Sequence, residues 1–225
     1  MNEFVAIATF VVLCFLAVYA TRYGLKQLYV LSVFIILASN VTVGIEAKMF
    51  GVSVSLGVII YSIVYLLTDI VSEFYERNEA YKLAVTNLMV QVAFWIYMFI
   101  SINAQPSGGQ AAYDAMVTLF GSTARITVAA FVASMGAFLD IYLYEWMKDR
   151  QWPLWVRNIL STGIGQSLNT ALFFTIALYG VIPNLLSVIW TAIAIKLAIA
   201  ICDTPFIYWA KGVFISTNNA MNTDS

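Results

Sequence analysis

The chain has 225 residues, of which 62% are hydrophobic and 10% charged, and its mean hydropathy is +0.86. A soluble domain of this length would carry about a quarter charged residues, so the composition points to an all-α polytopic membrane protein forming one integral domain over residues 1–225. The net charge is −1 with no basic block, which leaves nucleic-acid binding without support, and there is no histidine to act as general base, metal ligand or pH switch.

Apolar runs long enough to cross a bilayer predict about seven spans, near residues 4–21, 27–45, 52–75, 83–104, 125–147, 158–179 and 186–210. They do not alternate as the strands of a membrane barrel would. The first span is preceded by Glu3 and followed by Arg22 and Lys26, the reverse of a signal peptide, although Ala17-Val18-Tyr19-Ala20 resembles a cleavage site. The second carries Asn40. The third belongs to a run that begins at Met49 and has no charge until Asp69. There, Thr68-Asp69-Ile70-Val71-Ser72-Glu73 sets two carboxylates four residues apart, on one helix face. One charge at the bilayer centre costs about 2.5–3.5 kcal/mol, so such a face is expected to turn toward a cavity, a partner or a solute.

The fourth span repeats the spacing with Asn87 and Gln91. The polar, Gly-rich stretch from Gln105 to about Thr123 reads as an exposed loop. Arg125 opens the fifth span and Asp140 lies inside it, while Ala129, Ala133 and Ala137 mark close helix packing. The sixth carries Ser161, Gln166, Ser167, Asn169 and Thr170. Helix–helix hydrogen bonds, at about 0.6 kcal/mol each, account for such neutral residues as well as a solute site does. Gly180-Val181-Ile182-Pro183-Asn184 reads as a turn, and the seventh span then holds Lys196, Asp203 and Pro205. Residues 213–225 form a polar tail. Cys14 and Cys202, far apart in apolar runs, are expected to be small core residues rather than a disulfide or metal site.

The basic residues predict the orientation. With the N-terminus outside and the C-terminus in the cytoplasm, Arg22, Lys26, Arg77, Lys82, Lys148, Arg150, Arg157 and Lys211 fall on the cytoplasmic side, and Lys48 falls outside. Trp146, Trp152, Trp155 and Trp209 cluster near the same cytoplasmic face, as interfacial anchors do. Asp69, Asp140 and Asp203 then form one layer, each about seven residues, or roughly 10 Å, short of the cytoplasmic end of its span. Lys196 lies two turns from Asp203 on the same face.

A cavity of carboxylates, amides and aromatics suits a flat, polar, hydrogen-bonding molecule, since aromatic faces stack on ring systems for about 1–3 kcal/mol each. It suits phosphates poorly, because no Walker-type loop is present. No nucleophile–base pair or metal cluster argues for an enzyme. With no histidine, a carboxylate is the group left to carry a coupled proton, and uptake is expected to be proton-linked or else equilibrative with trapping inside.

Asn40 with Lys48, Thr68-Asp69 with Glu73 and Tyr75, Arg125, Leu139-Asp140, Ser161-Thr162 with Gln166, and Lys196 with Asp203-Thr204-Pro205 together resemble the queuosine-precursor transporter family, also called the vitamin-uptake transporter family of bacterial inner-membrane proteins. The resemblance covers roughly residues 30–212. It implies a six-helix transporter core, here residues 27–212, with the span at 4–21 as an added N-terminal helix. It implies uptake of 7-cyano-7-deazaguanine or 7-aminomethyl-7-deazaguanine by a secondary transporter of the inner membrane, with no cofactor. The partners are then the planar purine-like solute and the bilayer, with a homo-oligomer open. Two other readings stand beside it: a solute-binding subunit that serves an energy-coupling vitamin transporter, and a transporter of another purine-like or vitamin-like solute. The candidate substrate-binding residues are Asp69, Glu73, Asn87, Gln91, Arg125, Asp140, Gln166, Asn169, Lys196 and Asp203. The chain departs from the family pattern at Tyr75-Glu76-Arg77-Asn78-Glu79-Ala80, where Tyr-Gly-x-x-x-Ala is usual, and at Asn169, where Asp is frequent.

Overall fold

The computed structural model describes residues 2–43, 45–49, 52–121, 123–180 and 184–223. In chain order these form α1 (Asn2–Tyr23), α2 (Leu25–Thr42), β1 (Glu46–Met49), β2 (Val52–Ser55), α3 (Leu56–Phe74), α4 (Arg77–Ile102), α5 (Gln110–Phe120), α6 (Thr123–Ala133), α7 (Met135–Asp149), α8 (Leu154–Leu178) and α9 (Leu185–Thr223). Gly24 alone joins α1 to α2, with a φ of +94° that a side chain would disfavour.

Among the described residues, six segments are long and apolar enough to cross a membrane: Glu3–Tyr23, Leu25–Thr42, Leu56–Phe74, Arg77–Ile102, Arg125–Asp149 and Leu185–Asn219. The expected span at 158–179 is α8, which is 25 residues long but more polar. It still runs the length of the bundle. Arg157 at its start meets Glu73, and the carbonyls of Ile176 and Tyr179 at its end meet Arg125. Its buried face is Arg157, Asn158, Ser161, Thr162, Gln166, Asn169 and Thr170, whereas Trp155, Leu160 and Ile164 are exposed. This inverts the polarity of a water-soluble helix and lowers the average hydropathy of a helix that presents apolar groups outward.

Four expectations are corrected. Residues 46–49 and 52–55 pair as an antiparallel hairpin, Glu46 opposite Ser55 and Met49 opposite Val52, so the third span starts at Leu56 rather than residue 52. The stretch read as a loop contains α5, which is nonetheless exposed along most of its length. The seventh span does not stop at 210; α9 continues to Thr223 through Pro205, so the polar tail is helical as far as it is described. Cys14 is fully buried and Cys202 is exposed, so only the first is a core residue; both are free. The turn expected at Gly180–Asn184 falls partly outside the described residues.

Helix α3 is central, with every residue from Ser62 to Ser72 buried. It packs against α1, α2, α4, α7 and α9, while α8 packs against α6, α7 and α9. Helix α1 is part of this packing, since Cys14, Ala17 and Val18 are buried against the bundle. The α7–α8 crossing rests on two glycines: a Cβ on Gly136 would fall 2.4 Å from Gly165 O, and one on Gly165 would fall 2.6 Å from Asp140 Cβ. Large apolar side chains such as Phe4, Val30, Tyr97, Phe131, Leu186 and Trp190 are exposed on the outside of the helices. In water such a surface would aggregate; against lipid it is matched.

Candidate functional site

Polar residues recur on α3 at Tyr61, Ser62, Tyr65, Asp69, Ser72 and Glu73, a helical spacing that puts them on one face. The inward polar face of α8 opposes it. The two helices run in opposite directions and meet mainly through side chains, leaving a polar column along the bundle. Its rungs are Arg157 to Glu73 at 3.0 Å, the Thr162 hydroxyl donating to Asp69 Oδ2 at 2.9 Å, and the Ser62 hydroxyl donating to Gln166 Oε1 at 3.5 Å. At the far end Lys196 Nζ donates to Asn169 Oδ1 at 3.4 Å.

The aspartates from α3, α7 and α9 occupy the middle of this column. All three are buried and lie within electrostatic reach of one another. Asp203 is held by Asn158 Nδ2 at 3.1 Å, and Asn158 also donates to Thr204 and to the Ala200 carbonyl. Pro205 lies beside this cluster inside α9. Asp69 Oδ1 and both oxygens of Asp140 accept no hydrogen bond of normal length, although the Ser161 and Thr162 hydroxyls stand beside Asp140; Gln166 Nε2 and Tyr65 Oη nearby are also unpartnered. Unpartnered buried acceptors are costly, by about 1–3 kcal/mol for a neutral group and more for a charged one. A solute bearing N–H groups would satisfy them.

At the end of the column away from Glu73 a cavity of about 70 Å³ opens between α2, α3, α4, α6, α8 and α9. One water needs about 10–15 Å³ on this measure. Asn40, Gln91, Asn169, Thr170 and Lys196 supply its polar wall, and Tyr61, Trp95, Phe173 and Phe174 its aromatic wall. Lys196 also stands 5.4 Å from the centre of the Tyr61 ring.

The remaining candidates have structural partners. Glu73 accepts from Tyr144 Oη at 3.1 Å, from Arg157, and from Lys211 at 3.4 Å, so it ties α3, α7, α8 and α9 at the basic end. Lys148 adds a bond to the Ser72 carbonyl. Arg125 donates to the last carbonyls of α8, and Asn87 accepts from Ser32 of α2 at 3.0 Å. Among the described residues no group of three or more carboxylates or thiols is arranged to hold a metal ion.

Sequence reasoning passes over Tyr61, Trp95, Tyr144 and Asn158. Aromatic residues in an apolar helix carry no signal of which neighbour they face. Asn158 could have been found, as it starts the same i, i+4 series as Thr162, Gln166 and Thr170.

The fold and this interior define a multi-pass helical membrane protein with a polar column inside an apolar shell. The family described as "putative vitamin uptake transporter" matches residues 55–210, and the chain belongs to that family. It is therefore a transporter by family, and Asp69, Asp140, Asp203 and Lys196 all fall within the matched segment. The chain is also similar to a protein of Bacillus subtilis (strain 168) named "Probable queuosine precursor transporter", with 26% identity over 196 residues, 84% of this chain and 85% of that protein. No solved structure matches the chain.

Proposed function

We propose that this transporter takes up a queuosine precursor, a 7-substituted 7-deazaguanine, across the inner membrane as a secondary transporter. The observation that carries the reading is the Asp69–Asp140 pair. Three of its four carboxylate oxygens accept no hydrogen bond of normal length in the middle of the polar column, with only the Ser161 and Thr162 hydroxyls beside Asp140. The pyrimidine edge of a guanine-like ring offers adjacent N–H and amino donors, which one carboxylate accepts together. The name of the Bacillus subtilis relative supports the same solute class. The N-terminus lies outside and the C-terminus in the cytoplasm in this proposal, which is supported by the gathering of Lys148, Arg157 and Lys211 around Glu73 and Ser72 at one end. The column serves recognition rather than catalysis.

The test is uptake of labelled 7-cyano- and 7-aminomethyl-7-deazaguanine into proteoliposomes holding this chain alone. Saturable uptake supports the proposal. Binding by purified protein without uptake would favour the solute-binding subunit. An imposed pH gradient in the same vesicles separates proton-linked from equilibrative transport: only the former concentrates solute.

A further inference from the structure

The cavity at the end of the column away from Glu73 has a chemistry opposite to that of the carboxylate layer. Lys196 is 5% exposed, and none of the described ion pairs involves it. Among the described residues its amino group meets the Asn169 amide oxygen, at 3.4 Å, and the face of Tyr61. Trp95 is 1% exposed and its indole N–H has no partner. The Asn40 amide nitrogen and the Thr170 hydroxyl are also buried and unpartnered. An ammonium and an indole can only donate. Their wall contains no carboxylate among the described lining residues. Orphaned buried donors are unfavourable until something accepts from them.

We infer that this cavity is a second subsite, one that takes an uncharged or anionic acceptor group (a nitrile, carbonyl or carboxylate) at one end of a planar solute and turns away a cationic one. The inference rests on the proposed uptake of a deazaguanine. Along α8, Asn169 at the cavity and Thr162 at Asp69 are seven residues, roughly 10 Å, apart. A bicyclic base can thus set its donor edge on Asp69 and Asp140 and point a short substituent at Lys196 and Trp95. Tyr61 and Trp95 flank that substituent with aromatic surface. Lys196 is then a specificity-determining residue, because an ammonium substituent can only donate and would face the donors of Lys196, Trp95 and Asn40 in a buried site, leaving them unpaired.

Binding of three probes to the purified full-length protein tests this: 7-deazaguanine, its 7-cyano derivative and its 7-aminomethyl derivative. The wild type should bind the cyano form about tenfold or more tightly than the aminomethyl form, and Lys196→Gln should bring that ratio to about one. If Lys196→Gln does not fold, Trp95→Phe replaces it, which keeps the ring and removes the N–H; it should weaken the cyano form selectively. Equal binding of the two derivatives by the wild type, or a ratio untouched by both variants, overturns the subsite. Failure of the wild type to bind any of the three overturns the deazaguanine reading itself and the subsite with it.

Discussion

Glu73 holds Arg157 at 3.0 Å in a setting where both side chains are under a tenth exposed. Removing one partner of such a pair strands the other charge, which costs about 3–5 kcal/mol. Glu73→Gln should therefore lower the melting temperature of the purified protein sharply. The double change Glu73→Gln with Arg157→Gln should be less damaging than the single change, because it leaves no buried charge stranded, Lys211 being half-exposed; an additive loss would contradict the pairing. The carboxylates themselves were legible in the sequence, since Asp69, Asp140 and Asp203 interrupt long apolar runs. Their partners were not. Thr162 and Asn158 look the same in sequence whether they glue helices together or hold a carboxylate, and only the facing of α8 toward α3 and α9 decides it. Arg125 shows the converse, a charge at a membrane edge that the fold uses on the end of α8.

The α7–α8 crossing is set by Gly136 and Gly165, and its closeness is what brings Asp140 into the column. A methyl group on Gly165 would lie 2.6 Å from Asp140 Cβ and 2.7 Å from the Gly136 carbonyl. Gly165→Ala should cost about 1–3 kcal/mol of stability by overpacking. Gly212→Ala, in α9 with nothing within 4 Å of the added methyl, should be neutral or stabilising by about 0.5–1 kcal/mol. Thermal melts of the two variants side by side check both signs. The long helices follow from apolar run length, which is why their centres agree with the sequence reading. The hairpin does not: Val52-Ser53-Val54-Ser55 has the two-residue alternation of a strand, but it is fused to an apolar helix and reads as part of that span. Helix α5 is hidden by its polar surroundings, and α9 runs on because its sequence after Trp209 contains no proline to stop it.

Across the whole molecule, Lys148 of α7, Arg157 of α8 and Lys211 of α9 meet around Ser72 and Glu73 at the end of α3, while the donor-lined cavity sits at the other end of the column. With the proposed orientation, a cysteine at Ser107 should be labelled by an impermeant reagent in intact cells, and one at Asp149 should not, in a background lacking Cys14 and Cys202. Labelling at Asp149 alone would invert the transporter. The central claim is that buried carboxylates recognise the donor edge of a purine-like solute, and binding to purified Asp140→Asn protein tests it most directly. Asparagine keeps the shape but exchanges an acceptor for a donor, so the loss should be about 1.5–3 kcal/mol, roughly ten- to a hundredfold in affinity for a 7-deazaguanine, with the protein still folded. Affinity equal to that of the wild type would contradict the account.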